Sequence, residues 1–226
     1  MNSFTEDLLK ENIVLSEKQV EDFRIFYSLL ISENKITNLT RITEENDVYY
    51  LHFYDSLMCI KAIDLSQDDI KLLDVGAGPG FPSIPLKIAV SKLEITIVEA
   101  TNKKVIFINK VIDELRLDKI SANHLRAEDY TSYNSFDYVT TRAVSTIKDQ
   151  LKYTIPFLKI GGVLISMKGS KALEEIKESD SILKDIGAMV EKIIPYTVLD
   201  RSYNLVLIKK IKDTPKKYLK TKNKGK

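Results

Sequence analysis

Lys71-Leu72-Leu73-Asp74-Val75-Gly76-Ala77-Gly78-Pro79-Gly80-Phe81-Pro82 is the stretch from which the rest of this chain is read. A short apolar run closes on an aspartate, and three glycines then stand at every second position. The run reads as a buried parallel strand, and the glycines as a sharp turn whose backbone approaches a ligand closely. Downstream, short apolar runs at 94–99, 120–123, 138–141 and 163–168 predict further strands. Helical spacing fills 84–90, 103–115 and 147–158 between them. This alternation predicts a mostly parallel sheet covered on both faces. After a helix over 171–183, strands at 188–195 and 203–209 follow with no helix between them. That order rules out an ordinary parallel crossover and predicts a terminal antiparallel hairpin.

Upstream the texture is helical. Ser16 and Gln19 have capping-box spacing, and Val20, Phe23, Phe26, Tyr27 and Leu30 recur on one helical face. Polar residues at 34–40 interrupt the pattern before a second helix over 49–63, which carries His52, Asp55 and Ser56. The polar strip at 65–69 sets a boundary. The expected organisation is a helical subdomain over 1–65, an α/β domain over 66–210 and a basic tail over 211–226.

The lone cysteine, Cys59, excludes an internal disulfide framework and fits a reducing compartment. No apolar run approaches the ~20 residues of a membrane span, and no basic leader precedes one, so a cytoplasmic protein is expected. His52 and His124 have no partners at metal-ligand spacing, so no metal is expected. The formal net charge is +2, but residues 209–226 hold nine lysines against Asp213. The end of the chain therefore carries +8 and the remainder −6. Such a tail suits a polyanionic partner, or serves only as a solvated segment.

The glycine turn differs from a dinucleotide fingerprint, because its third glycine arrives one residue early. Pro79 and Pro82 also remove two backbone donors where a pyrophosphate would want amides. Both features favour S-adenosylmethionine, whose charged part is an amino acid on a sulfonium. Glu99 closes the second strand about where an acid accepts hydrogen bonds from a ribose, the lesser alternative being a cap for the following helix. Arg126-Ala127-Glu128-Asp129, after the third strand, stands where an acid and backbone amides would meet an adenine.

Several motifs occur together in order: Asn38-Leu39-Thr40, His52-Phe53-Tyr54-Asp55-Ser56-Leu57, the glycine turn through Leu86, and Lys103-Lys104. Arg126-Ala127-Glu128, Thr141-Arg142-Ala143-Val144, Lys168-Gly169 and Thr214-Pro215-Lys216-Lys217 follow. Over about residues 34–217 the chain resembles the bacterial small-subunit ribosomal RNA methyltransferase G family, also called glucose-inhibited division protein B. Ser83 departs from the glycine common there, and Glu99-Ala100 from the commoner Asp-Ser. The resemblance implies a class I S-adenosylmethionine-dependent methyltransferase fold. Its seven-stranded, Rossmann-like, mostly parallel sheet would end in an antiparallel hairpin and carry a small N-terminal helical subdomain.

It also implies methyl transfer to N7 of one guanosine in the 530 loop of 16S ribosomal RNA, by a monomer acting on a small-subunit particle or assembly intermediate. Asp74, Gly76, Ala77, Gly78, Pro79, Gly80 and Phe81 would form the cofactor turn. Glu99 would hold the ribose, and Ala127 and Glu128 would flank the adenine. Arg142 would stand at the catalytic mouth against the cofactor. Lys103, Lys104, Lys168, Arg201, Lys216 and Lys217 would contact RNA. Two other readings stay open from sequence: an NAD(P)-dependent oxidoreductase on the same topology, and a non-catalytic ribosome-assembly RNA-binding protein.

Overall fold

The computed structural model describes residues 2–220. Seven strands, β1 (Lys71–Val75), β2 (Glu94–Glu99), β3 (Ile120–His124), β4 (Phe136–Arg142), β5 (Leu158–Lys168), β6 (Ala188–Val198) and β7 (Arg201–Lys210), form one sheet. Its order is β3-β2-β1-β4-β5-β7-β6. The first five strands pair in parallel, whereas β7 runs antiparallel to both β5 and β6. The predicted parallel core and closing hairpin are both present. The chain travels outward from β1 to β3 and then returns to β4 beside β1. The carboxyl ends of β1 and β4 thus flank the switch point, where open α/β sheets bind ligands.

Helices α1 (Asn2–Lys10) and α2 (Glu17–Thr37) cover one face of the sheet. Ser16 and Gln19 complete the expected capping box at the start of α2, and Asn38 ends it in the left-handed region at φ 49°. A continuous helical run follows over 45–62. It starts as α3 (Glu45–Val48), widens to a π segment (Tyr49–Tyr54), returns to α4 (Asp55–Leu57) and tightens to a 3-10 turn (Met58–Ala62). α5 (Ser83–Ala89) and α6 (Asn102–Glu114) complete this face. Phe26 stands at its centre, 5.2 Å from the Phe53 ring and 5.5 Å from Phe81. The N-terminal helices and the glycine turn therefore share one aromatic core.

The opposite face departs from expectation in two places. The helix expected over 147–158 is α7 (Ile147–Gln150) followed by 3-10 turns at Leu151–Tyr153 and Ile155–Phe157. Pro156 has no amide to continue a helix, and the Thr154 hydroxyl donates to the Gln150 carbonyl instead. The helix expected over 171–183 is two, α8 (Ala172–Glu178) and α9 (Asp180–Ile186). They break at buried Ser179, whose hydroxyl bonds the Glu175 carbonyl at 2.6 Å.

Residues 211–220 lie against the body. Ile211 and Lys212 donate amides to the Gly187 carbonyl, Lys217 and Tyr218 hold Asp185, and Lys220 pairs with Asp129. Lys217 and Lys220 are thereby matched, whereas Lys212 and Lys216 have no ion pair among the described residues. The remaining tail lysines, Lys222, Lys224 and Lys226, fall outside the described residues.

Candidate cofactor site

At the end of β1 the chain turns under tight backbone control. Gly76 donates its amide to the Val98 carbonyl at 2.8 Å, and Gly80 and Phe81 both donate to Ala77. Gly78, at φ +58°, donates to Glu99 Oε2 at 2.9 Å. Its Cβ position is open, with nothing within 4 Å. At Gly80 the need for glycine is steric, because a Cβ there would stand 2.7 Å from Ile84 Cγ1. With Pro79 and Pro82 lacking N–H groups, Ala77 keeps the turn's one amide with no acceptor among the described residues. This turn has no nest of free amides for a pyrophosphate.

Glu99 takes the cap-like task that the sequence leaves open and also holds the glycine turn. Oε1 accepts the Thr101 amide at 2.9 Å, at the start of α6, while Oε2 holds Gly78. A carboxylate offers about four acceptor positions, so two remain for hydroxyl donors. Beside it lies a cavity of about 320 Å³, whose wall includes Gly76, Glu99, Lys104, Ala127, Glu128 and Val144. A neighbouring cavity of about 520 Å³ shares Ala127, Glu128 and Tyr153, and is closed by Lys217, Tyr218 and Lys220. The first has the donor set and size for a nucleoside carrying an amino acid and no phosphate, so S-adenosylmethionine fits the residues present.

The other expected turn contacts stand behind this wall. Ala77, Pro79, Gly80 and Phe81 are buried, and Phe81 packs face to face with His52 at 4.4 Å. Asp74 is fully buried. Its Oδ2 accepts the Ser83 hydroxyl, its Oδ1 has no partner, and neither has Oγ1 of Thr140, its register partner on β4. Burial raises the Asp74 carboxyl to about 7. Ser83 thus supplies the hydrogen bond that a glycine there would lack.

Arg142, at the end of β4, is held from the N-terminal helical run. Its Nε meets Asp55 Oδ2 at 2.8 Å, and one terminal nitrogen reaches the Leu51 carbonyl and His52 Nδ1. Tyr196 on β6 donates to Asp55 Oδ1 at 2.7 Å, and Thr40 meets His52 Nε2 at 2.9 Å. Thr40, His52 and Asp55 occur in the quoted motifs but receive no role from sequence. Tyr196 and Leu51 gave no signal at all.

The expected RNA-facing residues separate. Arg201 and Lys216 are exposed and without ion pairs among the described residues. Lys103 bonds the Thr37 carbonyl, Lys104 lines the cavity and Lys217 pairs with Asp185. Lys168 is not a surface cation. Its ammonium binds Glu175 at 2.8 Å and the Ser145 carbonyl, and its side chain is 10% exposed. It braces the loop after β4, in which Ala143 takes φ +51°. Among the described residues, no helix is long and apolar enough to cross a membrane, and no group of three or more His, Cys, Asp or Glu residues could hold a metal ion.

Sheet order, closing hairpin and glycine turn together define a class I methyltransferase fold. Solved structures agree. M. jannaschii TYW2 in complex with AdoMet superposes with a TM-score of 0.57 at 16% identity, over 76% of this chain and 80% of that one. Geranyl diphosphate C-methyltransferase from Streptomyces coelicolor reaches 0.60 at 13% identity, over 87% and 99%. The family model described as rRNA small subunit methyltransferase G matches residues 19–213. The ribosomal RNA small subunit methyltransferase G of Lactobacillus helveticus is 42% identical over 224 residues, covering 95% of this chain and 92% of that protein. That of Limosilactobacillus reuteri is 40% identical over 223 residues, with the same coverage. The chain belongs to the rRNA small subunit methyltransferase G family.

Proposed function

We propose that this protein transfers a methyl group from S-adenosylmethionine to N7 of a guanosine in the 530 loop of 16S ribosomal RNA. The observation that carries the cofactor half is the turn that consumes its own amides beside a Glu99 with acceptor capacity to spare. A nucleotide cofactor of an oxidoreductase would need those amides for its phosphates. Family membership and the relatives' names support ribosomal RNA as the acceptor.

When bound, S-adenosylmethionine supplies an electrophilic methyl on a sulfonium. Glu99 accepts the ribose hydroxyls, while Ala127 and Glu128 border the adenine. Guanine N7 has an in-plane lone pair and no proton, so no side chain has to accept one at that atom. His52 is consistent with this, since both of its ring nitrogens are already hydrogen-bonded. Arg142 orders the base through O6 or a flanking phosphate. Holding nucleophile and methyl in line can supply several kcal/mol of the barrier. The guanine must first leave its stack, at a cost of a few kcal/mol. Arg201 and Lys216 contribute phosphate contacts, which give affinity and salt dependence without base selectivity.

Incubation with methyl-labelled cofactor and ribosomal RNA from cells lacking this protein, followed by nucleoside mapping, tests the reading. Label at N7 of a single 530-loop guanosine is expected. Label at another atom or another loop would overturn it.

A further inference from the structure

The π segment Tyr49–Tyr54 runs directly into Asp55, and such widenings concentrate at functional sites. Here the widened run brings three acceptors to one guanidinium. They are the Leu51 carbonyl, His52 Nδ1 at 3.2 Å and Asp55 Oδ2 at 2.8 Å. Arginine only donates, so His52 Nδ1 accepts, and the ring proton sits on Nε2 and is donated to Thr40 Oγ1. Phe81 fixes the arrangement to the glycine turn. Its ring stacks on His52 and lies 5.5 Å from the Arg142 guanidinium carbon.

The two N–H groups on Nη2 of Arg142 go to Leu51 and His52, and Nε lies against Asp55 Oδ2 as an ion pair. The two on Nη1 have no acceptor among the described residues, on a side chain that keeps 17% exposure. We propose that Asp55 and His52 are positioning residues, holding Arg142 so that its two remaining N–H groups meet an oxygen acceptor of the reactants. That acceptor is either the amino-acid carboxylate of the cofactor or, on the guanosine, O6 or its flanking phosphate. The proposal rests on the functional reading above. Burial and then Arg142 itself lower His52 to about 3, so the Nδ1 acceptor persists at neutral pH. A packing role alone would give no reason for a complete acceptor set ending at two spare donors.

A double-mutant cycle on the full-length protein tests it, with kcat, KM and S-adenosylhomocysteine affinity measured beside thermal unfolding. Asp55→Asn is expected to lower kcat/KM about 10- to 100-fold with Arg142 present, and less than about threefold in an Arg142→Ala background. His52→Asn keeps an acceptor where Nδ1 stands, and is expected to exceed His52→Leu about tenfold in activity. These two His52 variants serve if Asp55→Asn fails to fold. Weakened S-adenosylhomocysteine binding assigns the acceptor to the cofactor carboxylate. Reduced turnover at unchanged affinity assigns it to the guanosine. Equal losses from Asp55→Asn with and without Arg142, or equal activity of the two His52 variants, overturn the proposal. Unchanged turnover of Arg142→Ala would instead remove Arg142 from the reaction, and with it both the proposal and Arg142's part in the functional reading. The methyl-labelling result would stand.

Discussion

Asp55 and Asp74 are 5% and 0% exposed, and their surroundings accommodate them in different ways. Asp55 faces a guanidinium and a tyrosine hydroxyl, which fill both of its oxygens. Asp74 has the Ser83 hydroxyl on one oxygen and no charged partner on the other. Burial raises both carboxyls; Arg142 and then Tyr196 oppose the rise at Asp55, whereas the hydroxyl of Ser83 leads the opposition at Asp74, which settles near 7. The difference teaches how one residue type serves two ends. A counter-charge makes Asp55 a fixed point from which a cation is aimed. The lack of one makes Asp74 a neutral-leaning anchor that ties β1 to α5 beneath the cofactor turn.

The largest effect is expected at Asp55. Asp55→Ala leaves Arg142 without its counter-charge, and removing one member of a buried pair typically costs about 3–5 kcal/mol. Denaturant unfolding at pH 7 is expected to show a loss of that size. A loss under about 1 kcal/mol would mean that water replaces the carboxylate, and the contrast with Asp74 would vanish.

Asp74 is expected to show itself through pH instead. Its folded value lies above the ordinary 3.8, so the folded chain holds a proton that the unfolded chain has released. Its contribution is fully present below about pH 4 and is lost as pH rises through about 7, a swing of about 4 kcal/mol at most. His52 acts in the opposite sense. Lowered to about 3 from 6.5, it contributes stability that is present above pH 6.5 and lost as pH falls toward 3. The useful quantity is therefore the difference between wild type and Asp74→Asn, in which the His52 contribution cancels. That difference should favour the Asn variant progressively from pH 4.5 to 7.5 and level off above. A flat difference would show Asp74 to be ionised throughout.

Much of the fold was legible because the strands obey simple rules. Each of the first five apolar runs has a covering helix or turn, and the last two lack one between them. Ile147, Leu151, Ile155 and Leu158 mislead for a physical reason. Their spacing is helical and all four are buried together, but 3-10 turns around Pro156 deliver the same side chains with a different backbone. At the site, Glu99 was readable because the end of a strand fixes where its side chain lies. The Arg142 network was not, since Thr40, His52, Asp55, Arg142 and Tyr196 come from elements far apart in the chain. Lys168 was expected to contact RNA because nothing local announces Glu175 on α8 and the Ser145 carbonyl in the loop after β4.

Ser83 is expected to give the smallest of these effects. It is buried, it opens α5, and its hydroxyl is the main protein group that steadies the Asp74 charge. Ser83→Ala preserves the packing volume closely and removes only that donor. Hydrogen bonds to charged groups contribute about 1.5–3 kcal/mol and those to neutral groups about 0.5–1.5. The cost should therefore grow with pH, from about 1 kcal/mol at pH 5 to about 2 kcal/mol at pH 8.5. Without the hydroxyl, Asp74 rises further, so the pH at which the cost levels off moves upward as well. In an Asp74→Asn protein the cost of the same substitution should be nearly independent of pH. A cost equal at both pH values would mean that the serine stabilises α5 on its own, apart from the carboxylate it touches.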